Sequence, residues 1–218
     1  MKVGILGSGI VAQTLAAGFL RHRYEVMLGS RQAGKPAGWL AQHPQALSGD
    51  LAATAAWGEL LVLAVKGTAA LDALRLAGGG NLAGKILIDT TNPIADAPPQ
   101  HGVLRFFTTL DDSLLERLQR EFPAARLVKA FNSVGTAAMV NPVFREGRPT
   151  MFICGNDEGA RRCVTGVLDR FGWEAADMGH AEAARAIEPL SMLWCIPVFL
   201  RHESGHAFKL LLRGDSAP

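Results

Sequence analysis

Gly7-Ser8-Gly9-Ile10-Val11-Ala12 stands between a short apolar run, residues 3–6, and a helix-patterned stretch, residues 10–20. A glycine loop at such a junction narrows the available folds more than any bulk property, because each small residue in the spacing G-x-G-x-x-A has its own physical task. Gly7 permits a tight turn, Gly9 lets the backbone approach a pyrophosphate, and Ala12 lets the helix pack closely on the sheet. The helix N-terminus adds free N–H groups and a positive potential suited to an anion. A second strand is predicted at residues 24–28, so strand, loop, helix and strand fall in order. Gly7, Ser8, Gly9, Ile10 and Val11 are therefore expected to hold a dinucleotide.

The end of the second strand selects the nucleotide. A site for NAD usually carries Asp or Glu there, bonded to the ribose 2′-hydroxyl. This chain has Gly29-Ser30-Arg31 and then Lys35, with no acid. A carboxylate would repel a 2′-phosphate, whereas Arg offers it a planar fork, Ser a hydroxyl and Lys a point charge. Ser30, Arg31 and Lys35 thus predict NADP(H) over NAD(H).

Further apolar runs of strand length occur at residues 60–65, 85–89, 126–130, 150–154 and 173–177. Continuous apolar strands separated by helical stretches argue for a parallel sheet covered on both faces. The fold class expected is α/β: a Rossmann-type, doubly wound, mainly parallel sheet with a short helical C-terminal segment. Residues 1–180 would form the NADP-binding domain, and 181–218 a helical, apolar segment packing on it or on a second subunit. Pro189 and Pro197 should start, kink or split helices there. A loosely started helix is expected over 34–57. Another is expected over 111–122, capped by Asp111, with Leu114, Leu115 and Leu118 on one face. Ligands of open α/β sheets sit beyond the carboxyl ends of the strands. Ala64, Val65 and Lys66 should therefore lie along the path from adenosine to nicotinamide. Asn92 and Asn132, after later strands at the same edge, could bond the nicotinamide, its ribose or the second substrate. Residues 95–109, with two prolines and no periodicity, could form a lid or pocket wall.

Other features exclude function classes. A net charge of +2 over 218 residues suggests no nucleic-acid or membrane-surface partner. Cys154, Cys163 and Cys195 are odd in number and form no C-x-x-C pair, which fits a reducing cytoplasm and suggests neither a disulfide framework nor a zinc knuckle. The N-terminus runs straight into strand and glycine loop, unlike a signal peptide. The longest mostly apolar run, residues 189–200, is too short to span a bilayer. His202-Glu203-Ser204-Gly205-His206 matches H-E-x-x-H, a zinc-binding pattern when both histidines share a helix face. Gly205 weakens such a helix and Asp215 is the sole acid downstream, so no metal site is expected. No nucleophile elbow, paired carboxylates or Ser-His-Asp arrangement stands out, and no catalytic residue is singled out. Hydride exchange between two cofactors needs mainly ring alignment and exclusion of water.

The segments GILGSGIVAQTLA, VMLGSR, LAVKGTAALDAL, ILIDTTNP, LVKAFNSV, MFICGNDEGAR and AARAIEPLSMLW run nearly end to end. On them the chain resembles the NADP oxidoreductases dependent on the deazaflavin coenzyme F420, an architecture shared with the cytosolic domain of six-transmembrane metalloreductases. The Ser30-Arg31 pair and Ala130-Phe131-Asn132 are the more specific parts. The resemblance implies a compact, usually dimeric Rossmann protein exchanging a hydride between NADP(H) and a deazaflavin or flavin. It implies that Asn92-Pro93, Asn132 and the apolar C-terminal helix line the partner's pocket. Two other readings remain open: a reductase of a small carbonyl or imine, and a non-catalytic NADP(H) sensor. The first is disfavoured because such enzymes add a helical substrate domain, whereas only about 38 residues follow His180.

Overall fold

Apolar runs flanked by helices can bury both faces only inside a parallel sheet, and that is where they lie. The computed structural model describes residues 1–32 and 35–213. β1 (Lys2–Leu6) leads into α1 (Ile10–Arg21) and β2 (Glu25–Gly29). Then come α2 (Ala37–Gln42), β3 (Leu47–Gly49), α3 (Leu51–Trp57) and β4 (Leu60–Leu63). A 3-10 turn (Gly67–Ala69), α4 (Ala70–Ala77), the single turn α5 (Gly79–Leu82) and β5 (Ile86–Asp89) follow. The chain continues through α6 (Leu114–Glu121), β6 (Arg126–Lys129), β7 (Thr150–Ile153), α7 (Glu158–Arg170), β8 (Glu174–Asp177) and α8 (Ala184–Arg201).

Six strands pair in the order β3-β2-β1-β4-β5-β6, all parallel. This is the order of dinucleotide-binding Rossmann folds, and it places the crevice beside the carboxyl end of β1. β7 and β8 form a separate parallel pair. An antiparallel bridge between Lys129 and Cys154 joins that pair to β6. One face of the sheet packs on Phe19, Phe131, Phe171 and Trp173, the other on Leu74, Leu82, Leu115 and Leu118.

Three local expectations are corrected. The helix expected over 34–57 is two helices separated by β3; Gly34 itself lies outside the described residues. Pro44 cannot continue α2, and Leu47, Ser48 and Gly49 pair with Met27, Leu28 and Gly29. Three edge residues, with Leu47 half exposed, carry no periodicity by which to recognise a strand. The cap of α6 is Ser113 rather than Asp111. Ser113 Oγ accepts from the Glu116 amide at 3.1 Å while Glu116 Oε2 accepts from the Ser113 amide at 2.9 Å, a reciprocal capping box. Asp112 instead pairs with Arg117 and Arg120.

The third correction concerns the C-terminus. Neither proline splits α8, which holds both within its span. With its leading turn the helix runs 21 residues, Ala181–Arg201, long and apolar enough by length and composition to cross a membrane. The apolar run visible in sequence is shorter because Glu188 and Arg185 interrupt it. Those charges are satisfied within the protein, and Ala184, Ile187, Glu188 and Ser191 form a buried inner face. His202 ends the helix in the left-handed conformation, φ 58°. Residues 203–213 form no helix and return along the edge of β7, where the Thr150 amide donates to the Phe208 carbonyl at 2.8 Å.

Candidate functional site

At the carboxyl edge of β1, β2 and β4 lies a cleft of about 890 Å3. Every residue expected to bind the dinucleotide lines it except Asn92 and Asn132: Gly7, Ser8, Gly9, Ile10, Val11, Ser30, Arg31, Lys35, Ala64, Val65 and Lys66. Gly29, Gln32, Leu51, Ala69, Ala73 and Thr90 complete the walls. Gly7 has φ 144°, and a Cβ there would come 2.1 Å from the Ala64 carbonyl oxygen, so only glycine allows β1 to turn this close to β4. Gly9 differs. A Cβ built on it meets no protein atom within 4 Å, so it would occupy cleft space and nothing else. Gly9 is the N-cap of α1, where no side chain caps the helix and no acid occupies the first turn. The positive helix end is left to an incoming anion.

The far end of the cleft is basic. Ser30 is largely buried, and its Oγ accepts from the Gln32 amide at 3.2 Å and lies 3.3 Å from Ser8 Oγ. The serine bond tightens the turn that presents Arg31 and Lys35, both of which line the cleft. Neither makes a salt bridge among the described residues. A phosphate arriving there would compete with no internal carboxylate.

A second cavity of about 590 Å3 adjoins the first and shares Val65, Lys66 and Thr90 with it. Thr91, Asn92 and Ile94 form one side, and Ala95-Asp96-Ala97-Pro98 the other. The proline-containing segment singled out in the sequence is thus a pocket wall at its start. Asp96 reaches Lys66 Nζ at 3.4 Å, an exposed pair worth about 0–1 kcal/mol. Gly67 presses on the opposite strand end, where a Cβ would fall 1.8 Å from the Asn92 carbonyl oxygen.

Asn92 and Asn132, forty positions apart, are brought into direct contact. Asn92 Nδ2 donates to the Asn132 carbonyl at 2.7 Å, and Asn132 Nδ2 donates to Asn92 Oδ1 at 3.1 Å. Asn92 lines the second cavity, while Asn132 lines neither and stands behind it. Asn132 Nδ2 also donates to the Ile187 carbonyl of α8 at 3.0 Å, and its Oδ1 is buried with no partner among the described residues. Phe131, next to it, is fully buried at φ 60°. A bulky residue in the left-handed region is strained, and here that turn aims Asn132 at Asn92.

Behind this floor lies a cluster that sequence reasoning missed. Lys129 Nζ, with no exposed surface, meets Asp89 Oδ2 at 2.6 Å, the Thr91 carbonyl at 2.8 Å and Glu188 Oε1 at 3.0 Å. Asp89 Oδ1 accepts from the amide and hydroxyl of Thr91 at 2.9 and 2.7 Å. Burial alone would depress the ammonium's pKa, but the carboxylates of Asp89 and Glu188 outweigh it and hold the group above the ordinary lysine range. Lys129 is therefore a fixed cation, not a proton donor at neutral pH. The signal was present as single charges inside apolar runs, Asp89 in KILID, Lys129 in RLVKA and Glu188 in AIEPL, since buried charges occur almost only when paired.

The remaining candidates are inert by geometry. Burial pushes the Cys154 thiol up to about 12, and it raises Cys163 and Cys195 as well, so none is a ready thiolate. The H-E-x-x-H segment is not helical: His202 terminates α8, and the His206 ring stacks on Trp194 with Nε2 3.1 Å from the Trp194 carbonyl. Among the described residues no three His, Cys, Asp or Glu side chains gather as a metal site. Trp194, in turn, donates from Nε1 to the His206 carbonyl at 2.9 Å, while Leu193 beside it is exposed.

Strand order, an uncapped glycine loop and a basic far end define a dinucleotide-binding protein of the Rossmann type. The family of NADP oxidoreductases, coenzyme F420-dependent, matches residues 2–93. A protein of Arthrobacter sp. FB24 assigned as an F420-dependent NADP reductase has a crystal structure that superposes with a TM-score of 0.90 at 32% identity, over 97% of this chain and 100% of that one. This chain belongs to that family. Rat metalloreductase STEAP3 is 33% identical over 204 residues, which cover 91% of this chain but 39% of the relative. The chain thus spans about two fifths of the length of the curated relatives it matches. An imine reductase of Streptomyces aurantiacus shares the fold, with a TM-score of 0.69 at 17% identity over 92% of this chain and 63% of that one.

The two loop glycines should separate folding from binding. Gly7→Ala forces a Cβ into the β4 backbone and should lower stability by roughly 1–3 kcal/mol or more. Gly9→Val should keep stability within about 1 kcal/mol yet abolish dinucleotide binding, because its side chain fills only the cleft. Thermal melts beside nucleotide titrations check both; a Gly9→Val chain that binds normally would remove the pyrophosphate from this loop.

Proposed function

We propose that the chain is an NADPH-dependent oxidoreductase that passes a hydride between NADP(H) and a deazaflavin or flavin. One observation carries the reading: a cleft with a basic end at Ser30, Arg31 and Lys35 opens at its other end, across Val65, Lys66 and Thr90, into a second cavity. A dinucleotide with its pyrophosphate on Gly7–Val11 and its 2′-phosphate on the basic end would direct its nicotinamide toward that cavity. Arg31 and Lys35 bind the 2′-phosphate, and the α1 N-terminus holds the pyrophosphate. Bound there, the nicotinamide supplies or takes up the hydride. The chain's own task is to hold two rings face to face and exclude water, with Thr90, Thr91 and Asn92 below and Ala95–Pro98 above. The family match supports the NADP half of this reading, and the deazaflavin or flavin half rests on the shape and chemistry of the second cavity. Among the described residues, Lys66 and Asp96 are the only ionisable side chains in the walls of that cavity, and they are exposed and bound to each other. That favours an acceptor needing alignment alone over a carbonyl or imine needing a proton donor.

Residues 1–180 act in this reading as the NADP-binding unit and 181–218 as the segment that braces the acceptor side. The unpaired thiols of Cys154, Cys163 and Cys195 support a cytoplasmic setting. Leu193, Phe199 and Leu200 on α8 and Leu211 and Leu212 beyond it are exposed, which supports a homodimer formed over this face. Light scattering should return twice the mass of one chain, and Leu193→Glu with Phe199→Glu should return one; a monomeric parent chain refutes the dimer.

Two further measurements test the function. Purified chain should bind NADPH at least about tenfold tighter than NADH and oxidise it with coenzyme F420, FMN, FAD or riboflavin. Tight binding without turnover of any of these would favour a small substrate or a sensor instead. Arg31→Asp should weaken NADPH by about 1–3 kcal/mol and shift preference toward NADH, since it puts a carboxylate where the 2′-phosphate sits. An unchanged preference would place that phosphate elsewhere.

A further inference from the structure

The buried cluster behind the second cavity has partners whose positions are not random. Lys129 Nζ carries three N–H bonds, and three acceptors surround it: Asp89, Glu188 and the Thr91 carbonyl. Glu188 arrives from α8 and does more than pair with the lysine. Its Oε2 accepts from the Leu114 amide and its Oε1 from the Leu115 amide, both at 3.0 Å, so it also sits on the N-terminus of α6. One ammonium and two carboxylates leave a net negative charge in the interior, which the positive end of α6 offsets. The residue before it, Ile187, gives its carbonyl to Asn132, whose other amide hydrogen holds Asn92.

We infer that Glu188 is a positioning residue: from α8 it fixes, through Lys129 and α6 on one side and the Asn132–Asn92 pair on the other, the Thr91-Asn92 floor of the acceptor cavity. The inference rests on reading that cavity as the acceptor's. An ion cluster serving the fold alone could end anywhere in the core. Here one chain of bonds ends on the carbonyl, amide and hydroxyl of Thr91, and a second ends on Asn92, both lining residues. Neither chain of bonds touches the basic end of the dinucleotide cleft. The rest of α8 is half-buried or exposed, and its buried residues fall on this inner face. A shift of Glu188 should therefore move the floor of one cavity and leave the other in place.

The full chain carrying Glu188→Gln tests this. Glutamine keeps the size but cannot offer two acceptor oxygens to the two α6 amides and the ammonium. Glu188→Asp keeps the charge on an arm one methylene shorter, and it carries the test if the glutamine variant does not fold. Three readouts are taken: affinity for 2′-phospho-ADP-ribose, which fills only the basic end and the pyrophosphate loop; the emission of bound NADPH, which reports the nicotinamide; and KM and kcat for FMN. The expected result is affinity for the half-cofactor within about twofold of the parent, a reduced NADPH emission gain, and an FMN KM raised about tenfold with a smaller fall in kcat. Unchanged emission and KM, or equal losses at both ends of the cleft, would overturn the inference. Should the parent chain reduce neither a flavin nor coenzyme F420, the proposed acceptor fails, while the half-cofactor and emission readouts still decide the role of Glu188.

Discussion

Lys129 is the point on which the carboxyl edge of this sheet depends. It sits at the end of β6, in register with Asp89 at the end of β5, and receives Glu188 from α8. Removing one partner from a buried pair of this kind costs about 3–5 kcal/mol, because the charge left behind has neither water nor counter-ion. The cost explains why β6, α8 and the start of α6 keep one geometry. It also explains how a helix with apolar residues on its outside is held by an inner face that carries Glu188.

Electrostatics divides the site into two halves. At the β2 end, Arg31 and Lys35 are exposed and unpaired by carboxylates among the described residues, so their charge is available to a ligand. At the β5–β6 end the charges of Asp89, Lys129 and Glu188 are buried and spent on one another or on backbone groups, and the exposed Lys66 and Asp96 are paired with each other. The first half can attract an anion; the second offers a rigid, nearly neutral surface of threonine, asparagine and small apolar side chains. A phosphate-tagged dinucleotide laid across both would be anchored by charge at one end and aligned by shape at the other.

Backbone proximity sets the fine geometry. Gly7 against Ala64 and Gly67 against Asn92 are places where two main chains approach too closely for any side chain. The first closes the turn over which a pyrophosphate can pass, and the second forms the thin wall between the β4 turn and the pocket floor. Phe131 contributes a different constraint, an unfavourable backbone angle held by a fully buried ring, which delivers Asn132 to its partner.

The sequence by itself determined the class of fold, the glycine loop and the preference for a phosphorylated dinucleotide. These depend on neighbours in the chain: Gly7 to Ala12 lie within one turn, and Ser30 and Arg31 follow β2 directly. The main strands were legible for the same reason, as apolar runs of the right length. β3 was not, because three edge residues gain their structure from pairing with β2 rather than from their own pattern. The Ser113 cap was readable in principle from Ser113 and Glu116, yet the acids before it drew attention first. Only the tertiary structure decided that Asn92 and Asn132 meet, that Asn132 stands behind the cavity, and that Asp89, Lys129 and Glu188 form one cluster. Those contacts join residues 40 to 59 positions apart in the chain, and their order is imposed by which strands lie side by side. A linear pattern records that a charge stands in an apolar run; it cannot record which other charge the fold will bring to it.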